Sequence, residues 1–214
     1  MSAPALPVLG VMQVWLHLGW ALVLAGAAAG VLAWLPVPRW LARVVPAALG
    51  LWALLPGPWS AAYWLGLAFQ APSGVLALAC AWWGWRALGC AGAAGVLPAR
   101  ARKLPWEAGL VPAGLLLGWA LLLDTFAQWP VALYPLGFET EALAAVLGLA
   151  LLPLWQPGAA GRVTAWLVPL ALAVYVALRL PTGNVFDAVL DPWLWLALHG
   201  MALRWVYRRR RARD

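Results

Sequence analysis

Long apolar segments alternate along this chain with short loops whose charge changes sign from one loop to the next. Arg39 and Arg43, then Arg100, Arg102 and Lys103, then Arg162, and finally Arg208, Arg209, Arg210, Arg211 and Arg213 mark every second connection. Asp124, Glu139, Glu141, Asp187 and Asp191 fall in or beside the connections between them. Lys and Arg are retained on the cytoplasmic side of a membrane. The alternation therefore predicts an all-α, polytopic integral membrane protein of fixed orientation. Composition agrees, because 65% hydrophobic and 10% charged residues lie far from the averages of soluble domains. The net charge of +7 does not point to nucleic acid, since the basic residues sit in short loops flanking apolar runs.

Seven transmembrane helices are expected, over residues 8–35, 44–69, 74–97, 107–126, 138–155, 163–180 and 185–207, packed as one bundle. The first positive charges follow the first apolar run, which puts the N-terminus outside and the polybasic C-terminus inside. The opening residues carry no positive charge, so a cleaved signal peptide is not expected, although Ala25 to Gly30 imitates a cleavage site. The second segment is unusual. Only about a dozen residues separate Val44 from Pro56-Gly57-Pro58, too few to cross a hydrocarbon core of roughly 30 Å. It is expected to continue to Phe69 with a break in the middle. Broken helices in membranes line cavities or are satisfied by neighbouring protein, so the break marks either a cavity in the outer half or a proline kink.

The chain has no isoleucine and single Lys and Asn residues, against 18 Trp, 18 Pro and 21 Gly. A GC-rich coding background accounts for this bias, and with it the location expected is the inner membrane of a bacterium. Most tryptophans, including Trp34, Trp40, Trp59, Trp64, Trp106, Trp129, Trp155, Trp193 and Trp205, fall near expected span ends, where indole rings favour the lipid–water interface. Three outward-going segments share a Val-Pro pair, at Val45-Pro46, Val111-Pro112 and Val168-Pro169, which suggests one helix followed by three hairpins. Cys80 and Cys90 are ten residues apart in one segment, roughly 15 Å along a helix, and cannot pair with each other.

Ionisable groups inside spans are costly and are therefore candidates for a site. Arg86 lies within the third segment beside Trp82, Trp83 and Trp85; it needs an anionic partner, or else backbone carbonyls and tryptophan faces. Asp187, Asp191, Trp195 and His199 are spaced by four and would form one stripe on a continuous last helix, with Asn184 as its N-cap and Asp187 closing a capping box. The alternative divides them into a cap, an interfacial acid and a lone histidine. His17 and His199 are the minimum for bis-imidazole haem ligation, and with Asp191 for a metal, but no ligand spacing supports either. Asp124, Glu139 and Glu141 complete an outer acidic group that either forms a site or caps helices. No cofactor follows from the sequence.

Retinal chemistry is excluded, because the only lysine, Lys103, is in a loop. There is no PQ dipeptide, no serine nucleophile elbow and no phosphate-binding glycine loop. With short loops on both sides, function must lie in the bundle, on its outer rim or on a surface that meets another membrane protein. The expected role is an accessory or assembly subunit of a larger membrane complex. A small transporter or lipid-handling protein, and a membrane enzyme acting on a lipid-linked substrate, are the alternatives.

Overall fold

A computed structural model describes residues 6–90, 107–128, 130–155 and 163–211. The basic loop 98–103, the inner end of the third expected span, Trp106, Trp129, Arg162 and Arg213 lie outside these. Every regular element described is helical: α1 (Leu9–Leu32), α2 (Arg39–Ala53), α3 (Ala61–Phe69), α4 (Gly74–Cys90), α5 (Glu107–Thr125), α6 (Thr140–Leu151), α7 (Val163–Leu178), α8 (Val185–Val189) and α9 (Pro192–Arg211). Among the described residues only α1 is by itself long and apolar enough to cross a membrane. The apolar stretches Leu110–Thr125, Thr140–Leu154 and Ala165–Leu178 are shorter.

Proline and glycine dictate where helices stop. Pro56-Gly57-Pro58 ends α2 after 15 residues, and Gly57 takes φ +61°, a left-handed conformation open to glycine. The chain does not simply resume as a kinked helix. Ser60 Oγ donates to the Ala53 carbonyl at 2.7 Å, turning the chain back on itself before the nine-residue α3. Pro46, Pro112 and Pro169 are the eighth, sixth and seventh residues of α2, α5 and α7, so the shared Val-Pro pairs occupy similar positions near three helix starts.

The N-terminal half is built on α1. Its contact with α4 is backbone on backbone: a Cβ added at Gly26 would approach the Cys80 carbonyl oxygen to 2.1 Å, and one at Gly84 would approach Gly26 Cα to 2.9 Å. Small residues allow this approach, and dispersion rather than the hydrophobic effect rewards it when lipid surrounds the helices. Trp20, Ala21, Val23, Ala53, Ala61, Ala62 and Leu76 form the core here. In the C-terminal half Gly114 and Gly118 of α5 receive Leu198 and Trp195 of α9. A separate cluster of Ala150, Leu172, Tyr175, Val185 and Ala188 joins α6, α7 and α8. The two halves meet at the start of α4, where Gly74 lies against Ala171 of α7 and the Ala188 carbonyl of α8.

Candidate functional site

Fully buried polar side chains show where the fold invests its hydrogen bonds. Among the described residues these are Ser60, Ser73 and Asn184, each at 0% exposure. All three are N-caps. Ser60 Oγ accepts from Ala62 N at 3.0 Å, Ser73 Oγ from Leu76 N at 3.1 Å, and Asn184 Oδ1 from Phe186 N at 2.9 Å. Each satisfies an N–H that has no partner within its helix, which matters most where water cannot reach.

Asp191 performs this role twice. Its Oδ2 accepts from Ser73 N at 2.7 Å and its Oδ1 from Leu194 N at 2.8 Å, so one carboxylate sits at the positive ends of both α4 and α9. The last expected span is accordingly broken at Leu190–Asp191, and the stripe Asp187, Asp191, Trp195, His199 does not exist as one helical face. Pro192 is the reason, because it favours a new first turn and disfavours helical geometry at the residue before it.

Asp187 belongs to a second network centred on Tyr134. The Tyr134 hydroxyl donates to Asp187 Oδ2 at 2.7 Å, its backbone N donates to Asp124 Oδ2 at 2.8 Å, and its carbonyl accepts from Asn184 Nδ2 at 2.8 Å. Thr182 Oγ1 also donates to Asp187 Oδ2, at 2.5 Å. Asp187 thus receives two hydroxyls rather than the Asn184 N–H, and the expected capping box does not close; Thr182 Oγ1 accepts from Asn184 N instead. Partial burial, then the hydrogen bond to Asp187 and that residue's charge, push the Tyr134 hydroxyl up to about 12. Gly137 gives Asn184 its space, since a Cβ there would approach Asn184 Oδ1 to 1.9 Å.

The remaining candidates do not join these networks. Arg86 is exposed on α4, with its guanidinium 5.8 Å from the Trp82 ring centre. Glu139 and Glu141 are exposed at the start of α6; Glu141 accepts from the neighbouring Thr140 Oγ1 at 3.3 Å. His199 packs edge-on against Trp119 and Trp195 between α5 and α9. His17 lines a groove of about 500 Å³ formed with Gln13, Val14, Leu54, Leu55, Pro56 and Gly57, so the broken second segment does bound a concave surface. Each histidine has Nδ1 against the carbonyl four residues earlier, at 3.0 Å for His17 and 2.9 Å for His199. A carbonyl only accepts, so Nδ1 carries the proton and Nε2 keeps its lone pair in the neutral ring.

Relative heights within the bundle separate the two histidines. Trp15 Nε1 donates to the Pro72 carbonyl at 3.0 Å and Trp20 Nε1 to the Gln70 carbonyl at 2.9 Å, which fixes the 70–73 linker against residues 15–20 of α1. Asp191 is bonded to Ser73 at that height, and His199 lies eight residues further along α9, roughly 12 Å deeper. His17 remains level with the linker. The two rings are not positioned to ligate one haem iron. Among the described residues no group of three or more His, Cys, Asp or Glu forms a metal-binding cluster.

Tryptophan also has a role that its place near expected span ends did not reveal. Trp52 Nε1 donates to the Trp59 carbonyl and Trp64 Nε1 to the Pro58 carbonyl, both at 2.9 Å. With Trp15 and Trp20, four indoles serve carbonyls in the break after α2 and in the linker after α3. No protein-family model, curated protein or solved structure matches the chain.

Proposed function

We propose that this chain is a seven-span inner-membrane protein of bacterial type, N-terminus out and C-terminus in, that acts as an accessory or assembly subunit of a larger membrane complex. The observation that carries the membrane part is the surface. Leu67, Leu116, Leu203 and Trp85 are exposed by 68%, 71%, 71% and 76%, in company with many other large apolar side chains on α1, α2, α4, α5, α7 and α9. Isolated exposed apolar residues are ordinary, but an apolar coat of this extent suits lipid or a partner chain. The acids lend support to the orientation: Asp124 and Asp187 converge on Tyr134, whereas Arg204 packs on Trp34 at the far end of α1.

The accessory role is favoured because Asp124, Asp187 and Asp191 are bound to backbone groups and hydroxyls that hold the fold together. These bonds commit the three carboxylates to structure, which weighs against the catalytic alternative. The lipid-handling alternative retains one specific observation, the groove at the α2 break with His17 and Gln13 among apolar neighbours. Native mass spectrometry after mild extraction from the native membrane, without overexpression, tests the proposal. A discrete second polypeptide is the expected result. A bare chain or homo-oligomer, with no second polypeptide, would overturn the accessory role.

A further inference from the structure

We infer that the C-terminal two turns of α9 form a binding site for anionic phospholipid headgroups of the inner leaflet, an inference that rests on the membrane reading above. The argument begins with height. α9 starts at Asp191, bonded to Ser73, and reaches α1 again at its inner end, where the Arg204 guanidinium lies 5.4 Å from the Trp34 ring centre. Trp34 is 69% exposed and is followed by Pro36, Pro38 and Arg39, the pattern of a chain leaving the hydrocarbon. α9 does not end there. It continues to Arg211, seven residues or about 10 Å beyond Arg204. The headgroup layer on one side of a bilayer is roughly 5–7 Å thick. The extension therefore spans the layer that holds lipid phosphates.

Chemistry on this extension matches that layer. Arg209, Arg210 and Arg211 are exposed and follow one another at about 100° steps, so their positions cover more than half of the helix circumference. Arg211 returns to the face of Arg204, seven residues earlier. The rings beside them are aromatic: Arg209 lies 3.8 Å from the Trp205 ring centre and Arg211 5.2 Å from that of Tyr207. Such stacking orients a guanidinium while leaving its N–H donors free for a phosphate, which it binds in bidentate fashion. An acidic protein partner would be served by the same charge, but it does not call for indole and phenol rings at the hydrocarbon boundary, where they anchor to lipid.

The test is native mass spectrometry of the purified full chain in detergent containing equal amounts of phosphatidylglycerol and phosphatidylcholine. The wild type is compared with R209Q/R210Q/R211Q and R209K/R210K/R211K, which leave Arg208 and Arg213 to hold the topology. We expect phosphatidylglycerol adducts to exceed phosphatidylcholine by about tenfold in the wild type, to fall to parity in the Gln variant, and to survive partly in the Lys variant. The wild-type excess should also shrink as ammonium acetate is raised, a readout that needs no variant to fold. No preference in the wild type, or an undiminished one in the Gln variant, overturns the inference. So does an acidic polypeptide released by the Gln substitutions while the lipid ratio stays unchanged. A chain recovered in the soluble fraction without detergent would instead sink the membrane reading itself.

Discussion

The two halves of this molecule solve one problem with different chemistry. Around α1, helices approach until backbones touch, at Gly26, Cys80 and Gly84, and the carbonyls left over at helix ends are met by indole N–H groups. In the C-terminal half, loops are tied to one another by side chains, with Tyr134 bonded to Asp124, Asn184 and Asp187. The first arrangement depends on the absence of side chains; the second depends on particular ones. The lesson is that a chain poor in polar residues concentrates them at helix termini and leaves helix interiors to shape.

The largest expected effect comes from breaking the first arrangement. Gly26→Val places a side chain where the Cys80 carbonyl now sits, and we expect a loss of about 3 kcal/mol or failure to yield folded protein. Thermal unfolding in detergent measures it, and a melting temperature equal to wild type would show that α1 and α4 are not held this closely. Asn184→Ala comes next, at about 2 kcal/mol, because it removes the α8 cap and leaves the buried amide partners unmet. Asn184→Asp separates the two roles: it keeps the acceptor for Phe186 N but has no donor for the Tyr134 carbonyl, so an intermediate loss is expected. If Asp and Ala variants melt together, the link to Tyr134 carries the stability.

Trp20→Phe probes the indole bonds of the N-terminal half. Trp20 is 2% exposed, and losing its N–H strands the Gln70 carbonyl, for an expected cost of about 1–2 kcal/mol. Trp64→Phe, at an exposed position with the same type of bond, should cost under about 0.5 kcal/mol. Equal losses at the two sites would refute burial as the cause of the difference.

The smallest effect concerns pH. The Tyr134 hydroxyl is raised from 10.0 to about 12 in the fold. Between those values the unfolded chain has released the proton and the folded chain keeps it, so stability declines as pH rises through this window. Tyr134 is 40% exposed, so the slope is shallow. Tyr134→Phe should be slightly less stable at neutral pH and lack this part of the alkaline decline. Identical melting profiles for the two proteins from pH 9 to 12 would remove Asp187 as the cause.

Helix positions were largely legible because prolines, glycines and charges punctuate apolar runs. The second break was missed, although Asp191-Pro192 carried the signal. A four-residue spacing looked like one helical face, and proline divided it. Asn184 as a cap could be read from the single asparagine in a turn, and Ser60 and Ser73, each just before an apolar run, offered the same cue. Tyr134 gave no cue, since its bonds join residues 10 and 53 positions away. Such contacts come from topology, not from local pattern. Arg86 was legible as costly but not as exposed, because period alone does not say which face of a helix meets its neighbours.

Asp191 clasps helix starts that are 118 positions apart in the chain. α4 precedes that carboxylate in synthesis, so Ser73 N gains this partner only once α9 is in place. A chain truncated before residue 191 leaves Ser73 N without this partner. The cost of such a truncation therefore falls at the start of α4, far along the chain from the cut.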